Sequence, residues 1–142
     1  MHPCDGKYKH AASFTLQDGV RDRQLSVYAL VCNFPGGDGS SGLMEHSDVE
    51  TFLHEFGHLL HGIFAGNQPW LAFSGIRTEW DFVEAPSQML EEWVWDMETL
   101  ATFATNDKGE TIPPALVNKM IAGRDFGKGM WTQHQLFYAA LS

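Results

Sequence analysis

Basic residues are scarce in this chain. Nine Lys and Arg stand against eighteen Asp and Glu in 142 residues, a net charge of −9 with histidine neutral. Nucleic-acid binding draws on clustered cations that release counterions from the phosphates. The densest basic stretch here, RDR at 21–23, is interrupted by an acid, so nucleic acid is not an expected partner. Cysteine is scarcer still. Cys4 and Cys32 are the only two, and their spacing fits neither a zinc pair nor a redox motif, so free thiols in a reducing compartment are expected. No apolar run approaches the ~18 residues of a membrane span. The first ten residues, MHPCDGKYKH, are polar from the second onward, unlike a secretory signal. These absences point to a soluble, cytoplasmic chain with no membrane partner.

Hydrophobic residues make up 44% and aromatic residues 13%, which excludes a disordered chain. The length suits one domain with one core, and neither an internal repeat nor a linker divides it, so residues 1–142 read as a single domain. Residues 11–17 and 24–34 are rich in β-branched and aromatic side chains and read as two strands joined by the turn DGVRD. The glycine-rich PGGDGSSG at 35–42 lacks the Lys–Ser/Thr ending of a phosphate-binding loop and reads as a connector. Ser47 and Glu50 have the spacing of a capping box, and apolar residues follow at intervals of three and four from Val49 to Phe64. This predicts a long buried helix closed by Gly66 and Pro69. A second helix is expected from about Glu84 to Phe103, a third from 113 to 122 and a fourth over the last thirteen residues. The fold class is therefore mainly α, with a small β element near the N-terminus.

The long helix carries HEFGHLLH at 54–61. Helical residues four apart face the same way, with roughly 5–6 Å between Cβ atoms, so His54 and His58 could share one ion. Glu55, one step round, would sit beside it, which is the physical content of H-E-x-x-H. A hydrolytic zinc site needs three protein ligands and one open position. Zinc brings the pKa of water down to about 7, and Glu55 would act as the base that takes its proton. The third ligand is not a histidine of the metzincin pattern, because that pattern requires Gly at 61 and His at 64, where His61 and Phe64 stand. A distant carboxylate is the alternative, from among Glu79, Asp81, Glu84, Glu91 and Glu92. Glu84 opens the second helix and is the first candidate, with Glu79 its rival. A ligating histidine also needs its other ring nitrogen tied down. Glu50, one turn before His54, and Asp81 are the residues expected in that supporting role, and His61 reads as a packed or supporting histidine and not as a ligand.

The stretches VETFLHEFGHLLH (49–61) and FSGIRTEWDFVEAPSQMLEEWVW (73–95), with DGKYKHAASFTLQ (5–17) upstream, resemble the catalytic core of the M3 zinc metallopeptidases, the oligopeptidase and peptidyl-dipeptidase group. The resemblance implies a zincin-like core with one zinc on His54, His58 and Glu84, and Glu55 as the catalytic base. It thereby favours Glu84 over Glu79. It also implies hydrolysis of peptide bonds in short oligopeptides. Members of the family are several times longer than this chain. Their glycine- and tyrosine-rich substrate loop has no counterpart here, where the only tyrosines are Tyr8, Tyr28 and Tyr138. The expectation is a catalytic-core fragment with short peptides as partners and apolar surface through which it self-associates. The alternative is a truncated zinc- or peptide-binding module that turns over little.

Overall fold

The computed structural model describes residues 1–36 and 42–141, so most of the 35–42 connector lies outside the described residues. Two strands, β1 (Ala12–Gln17) and β2 (Val27–Val31), pair antiparallel with Ala12 opposite Val31, and a bulge interrupts the register between Thr15 and Gln17. The second strand is shorter than the sequence suggests. Residues from 18 to 26 leave the ladder and form their own small loop, closed by the bridge between Val20 and Gln24 and turned at Asp22 with φ 59°. That loop is anchored elsewhere: Arg21 donates to the Asn67 side chain and carbonyl, and the Gly19 N–H donates to Ser74 Oγ. The anchors pull it onto the end of the long helix and away from the strand partner.

The long helix α1 spans His46–Ala65. Its N-cap is Glu45, whose N–H donates to Asp48 Oδ2 at 2.9 Å; the reciprocal pair is thus Glu45 and Asp48, two residues before the expected Ser47 and Glu50. Gly66 follows as the C-cap with an ordinary right-handed φ of −67°. Glycine is required there by crowding, since a Cβ would overlap Ser26 and approach the Gly19 backbone. Contrary to the expectation of a buried helix, only Gly57 and Gly62 of α1 are fully buried, and Ile63 and Phe64 are exposed. The reason is that α1 packs on α2 and on the two strands, which together cover one side of it.

The expected helix from 84 to 103 is three pieces: α2 (Ala85–Glu91), a 3-10 turn at Glu92–Trp95 and α3 (Met97–Phe103). Asp96 causes the break. Its backbone is extended, and its carboxylate accepts from the Thr99 N–H at 2.8 Å and the Thr99 hydroxyl at 2.7 Å, so it caps a new helix and cannot continue the old one. The helices α4 (Pro114–Gly123) and α5 (Lys128–Leu141) follow, close to expectation. Pro114 begins α4, where a missing N–H costs nothing. The core is small: Cys32 and Phe34 just after β2, Val94, Leu100 and Val117 are its buried hydrophobic residues. The chain is thus mainly helical with one two-stranded antiparallel sheet near its N-terminus. No helix is long and apolar enough to cross a membrane among the described residues.

Candidate metal centre

The close contact of α1 with α2 builds the site. At Gly57 the two backbones approach so nearly that an added Cβ would lie 2.5 Å from the Cα of Ser87. Gly57 lies between His54 and His58 in sequence, so the contact brings the start of α2 against both histidines. Glu84 is the N-cap residue of α2, and Pro86 in the first turn stiffens the chain just after it.

Three ligand atoms converge there. Glu84 Oε2 lies 3.1 Å from His58 Nε2 and 3.3 Å from His54 Nε2. One atom from each residue falls within 4.8 Å of the others, and this is the one such group of three or more among the described residues. The His58 side chain is 13% exposed, His54 26% and Glu84 48%, so the histidines form the floor and the carboxylate faces outward. Ser87, fully buried, has its hydroxyl 2.9 Å from both the Glu84 carbonyl and Glu84 Oε2, within reach to hold that carboxylate in place.

The donor set fits zinc. Two imidazole nitrogens and one carboxylate oxygen are its usual partners, at about 2.0–2.2 Å each. A tetrahedral ion at those distances separates its ligands by roughly 3.3 Å, close to the spacings from Glu84 to the two rings. The electronic arrangement points the same way. His54 Nδ1 lies 2.6 Å from Glu91 Oε1. An ionised carboxylate only accepts, so the His54 nitrogen facing Glu91 is the one that donates, which leaves Nε2 as the nitrogen that would meet a cation beside Glu84.

Of the other residues singled out from the sequence, Glu55 follows His54 on α1 and is half-buried. It lies near enough to Cys32 that its charge, after burial as the larger cause, pushes the Cys32 thiol above its ordinary value. Glu79 and Asp81 are exposed and stand outside the cluster. Neither Glu50 nor Asp81 hydrogen-bonds to His54 among the described residues; Glu91 has that position instead. Glu50 is one turn away on the same helix, whereas α2 packs across α1 and delivers Glu91 to the ring. The charge of Glu50 contributes instead at Arg124, which is held above its usual range chiefly by a hydrogen bond to Glu92. His61 faces the edge of Phe82 at 6.5 Å, and its pKa is lowered by burial and then by His58. Sequence reasoning missed Gly57 and Ser87 and gave Glu91 only a ligand's part. The available signal was Glu84, Ser87 and Glu91 at i, i+3 and i+7, one polar face on a short helix.

Comparison with known proteins bears on the whole chain. The family model described as Peptidase family M3 matches residues 1–142. Saccharolysin of Saccharomyces cerevisiae is 38% identical over 144 residues, covering 97% of this chain and 20% of that protein. A mitochondrial intermediate peptidase of Arabidopsis thaliana is 40% identical over 147 residues, covering 99% of this chain and 21% of its own length. Oligopeptidase A of Escherichia coli is 37% identical over 139 residues, covering 96% and 19%. The chain therefore spans about a fifth of the length of the curated relatives it matches.

Proposed function

The chain belongs to peptidase family M3, and from that premise we propose that it hydrolyses peptide bonds in short oligopeptides, with one zinc ion held by His54, His58 and Glu84 and with Glu55 as the base. The observation that carries this reading is the convergence of the two Nε2 atoms and Glu84 Oε2 at spacings of 3.1 and 3.3 Å. The family membership and the peptidase names of the relatives support the reaction class. The histidine-bearing helix with its acidic partner helix supports a zincin-like core, and the continuous family match over residues 1–142 supports treating them as one unit.

When bound, zinc supplies Lewis acidity, polarising a carbonyl and acidifying water. The chain's own residues do the rest. Glu55, one helical step from His54, accepts a proton from the attacking water and returns it to the departing amine. The two imidazoles supply a preformed floor, Glu84 closes it from the outer side, and Ser87 keeps the Glu84 carboxylate from turning away. Short peptides are the proposed partners. The cut is of the oligopeptidase or peptidyl-dipeptidase type, which mass spectrometry of the products distinguishes. Unbridged Cys4 and Cys32 support a reducing compartment such as the cytoplasm. Exposed Phe126, Met130, Trp131, Leu136 and Leu141 support self-association, which light scattering across a concentration series measures.

The test is Glu55→Gln on an unstructured fluorogenic peptide. Hydrolysis should fall by about 10²–10⁴-fold while zinc content stays unchanged. Full activity in that variant would remove Glu55 from the role. A second reading is a zinc- or peptide-binding module with little turnover. Zinc uptake without hydrolysis by the wild-type chain would select it.

A further inference from the structure

We propose that Glu91 is the positioning residue of this centre: it accepts the Nδ1 proton of His54, holds the ring with Nε2 turned toward Glu84 and His58, and thereby sets the affinity for zinc. The proposal rests on reading His54, His58 and Glu84 as the zinc ligands. The contact that carries it, from His54 Nδ1 to Glu91 Oε1, is 2.6 Å long, shorter than the ~2.7–2.9 Å common for a charge-assisted N–H···O bond. Both side chains are about a quarter exposed, at 26% and 27%, so water competes for the bond only in part. The other acids near His54 in sequence, Glu50 and Glu55, make no bond to it among the described residues, so Glu91 is the carboxylate that holds Nδ1.

The placement of Glu91 has a consequence for assembly. Glu84, Ser87 and Glu91 recur at i, i+3 and i+7 and fall on one face of a helix turning about 100° per residue. A single short element therefore delivers the carboxylate of the site, the hydroxyl beside that carboxylate and the acceptor that orients the facing histidine. His58 has no equivalent support: its Nδ1 is buried without a hydrogen-bond partner among the described residues. Orientation of the centre from the protein side thus falls on the His54–Glu91 pair.

The rival account is that Glu91 merely fastens α2 to α1. Zinc affinity by chelator competition, read beside the unfolding midpoint of the metal-free chain, separates the two. Glu91→Ala should weaken zinc binding by about 10- to 100-fold. Glu91→Gln keeps an acceptor oxygen and should restore most of that loss. A purely structural fastener would instead lower the metal-free midpoint and leave zinc affinity as it was. A second measurement needs no variant. In the zinc-loaded wild-type chain, nitrogen-15 shifts should place the metal on Nε2 of His54 and the proton on Nδ1. Metal on Nδ1, or a Glu91→Ala chain that binds zinc as tightly as wild type, would overturn the proposal while leaving the ligand assignment standing. A wild-type chain that takes up no zinc would overturn both.

Discussion

Replacing Gly57 with alanine should weaken metal binding as well as folding, and the two losses can be read separately. A Cβ at this position would lie 2.5 Å from Ser87 Cα, with the Pro86 carbonyl and the Ser87 nitrogen each 3.0 Å away. Carbon atoms rest at about 3.5–4.0 Å, so α2 must retreat by roughly 1 Å. The obstacle is backbone, and no side chain can swing aside to absorb it. Overpacking of this kind costs ~1–3 kcal/mol, but alanine is ~1 kcal/mol better than glycine inside a helix. The net loss of stability is therefore about 0–2 kcal/mol. The site is less forgiving, because ligand distances tolerate only about ±0.2 Å. A retreat several times that size carries Glu84 Oε2 away from both imidazoles and also draws Glu91 off His54. Zinc affinity should fall by at least about tenfold, since ligand orientation is worth 10- to 100-fold. Denaturant unfolding of the metal-free chain and chelator competition for zinc read the two effects separately. Zinc affinity within about twofold of wild type, at unchanged stability, would refute the claim that close packing at Gly57 makes the site.

Two further outcomes follow from the electrostatics. Burial, reinforced by Glu55, raises the Cys32 thiol and leaves it mostly protonated near neutral pH, whereas Cys4 is exposed. A thiol reagent at pH 8 should label one cysteine of the native chain quickly and the second only on unfolding; prompt labelling of both would contradict the packing of Cys32. The Arg124 guanidinium, through its hydrogen bond to Glu92, holds that carboxyl below its usual range. A lowered carboxylate pKa stabilises the fold above the unfolded value, near 4.3, and the benefit is lost as pH falls through the folded value. Arg124→Gln should therefore lower the unfolding midpoint slightly at pH 6 and leave it unchanged at the acid end. Equal losses at both pH values would assign the effect to Arg124 packing on the Trp95 ring, 4.9 Å away.

The features that follow from local spacing were legible in the sequence. The periodicity of α1, its end at Gly66, the pairing of the two strands and the helical tail need only neighbours a few residues apart. So does the presentation of His54 and His58 on one face. What escaped depends on how α2 lies across α1. Gly57 reads as an ordinary glycine until Ser87 is placed against it, and Glu91 reads as one acid among several until the His54 ring meets it. Capping escaped for a different reason, because two candidate pairs two residues apart, Glu45 with Asp48 and Ser47 with Glu50, both had the right spacing at the start of α1. At Asp96 the apolar period runs on through the sequence, but the carboxylate turns back to Thr99 and starts a new helix. Burial of α1 was overstated because periodicity indicates which face is apolar and carries no information on how much of that face is covered.

Zinc bound per chain, measured by atomic emission after metal-free purification and re-addition, tests the central claim most directly when wild type is compared with His58→Ala. Near one zinc per wild-type chain, reduced to a trace in the variant, is the expected result for two imidazoles and a carboxylate closing on one ion. No zinc in the wild-type chain, or equal zinc in both chains, would contradict the assignment of His54, His58 and Glu84 as its ligands.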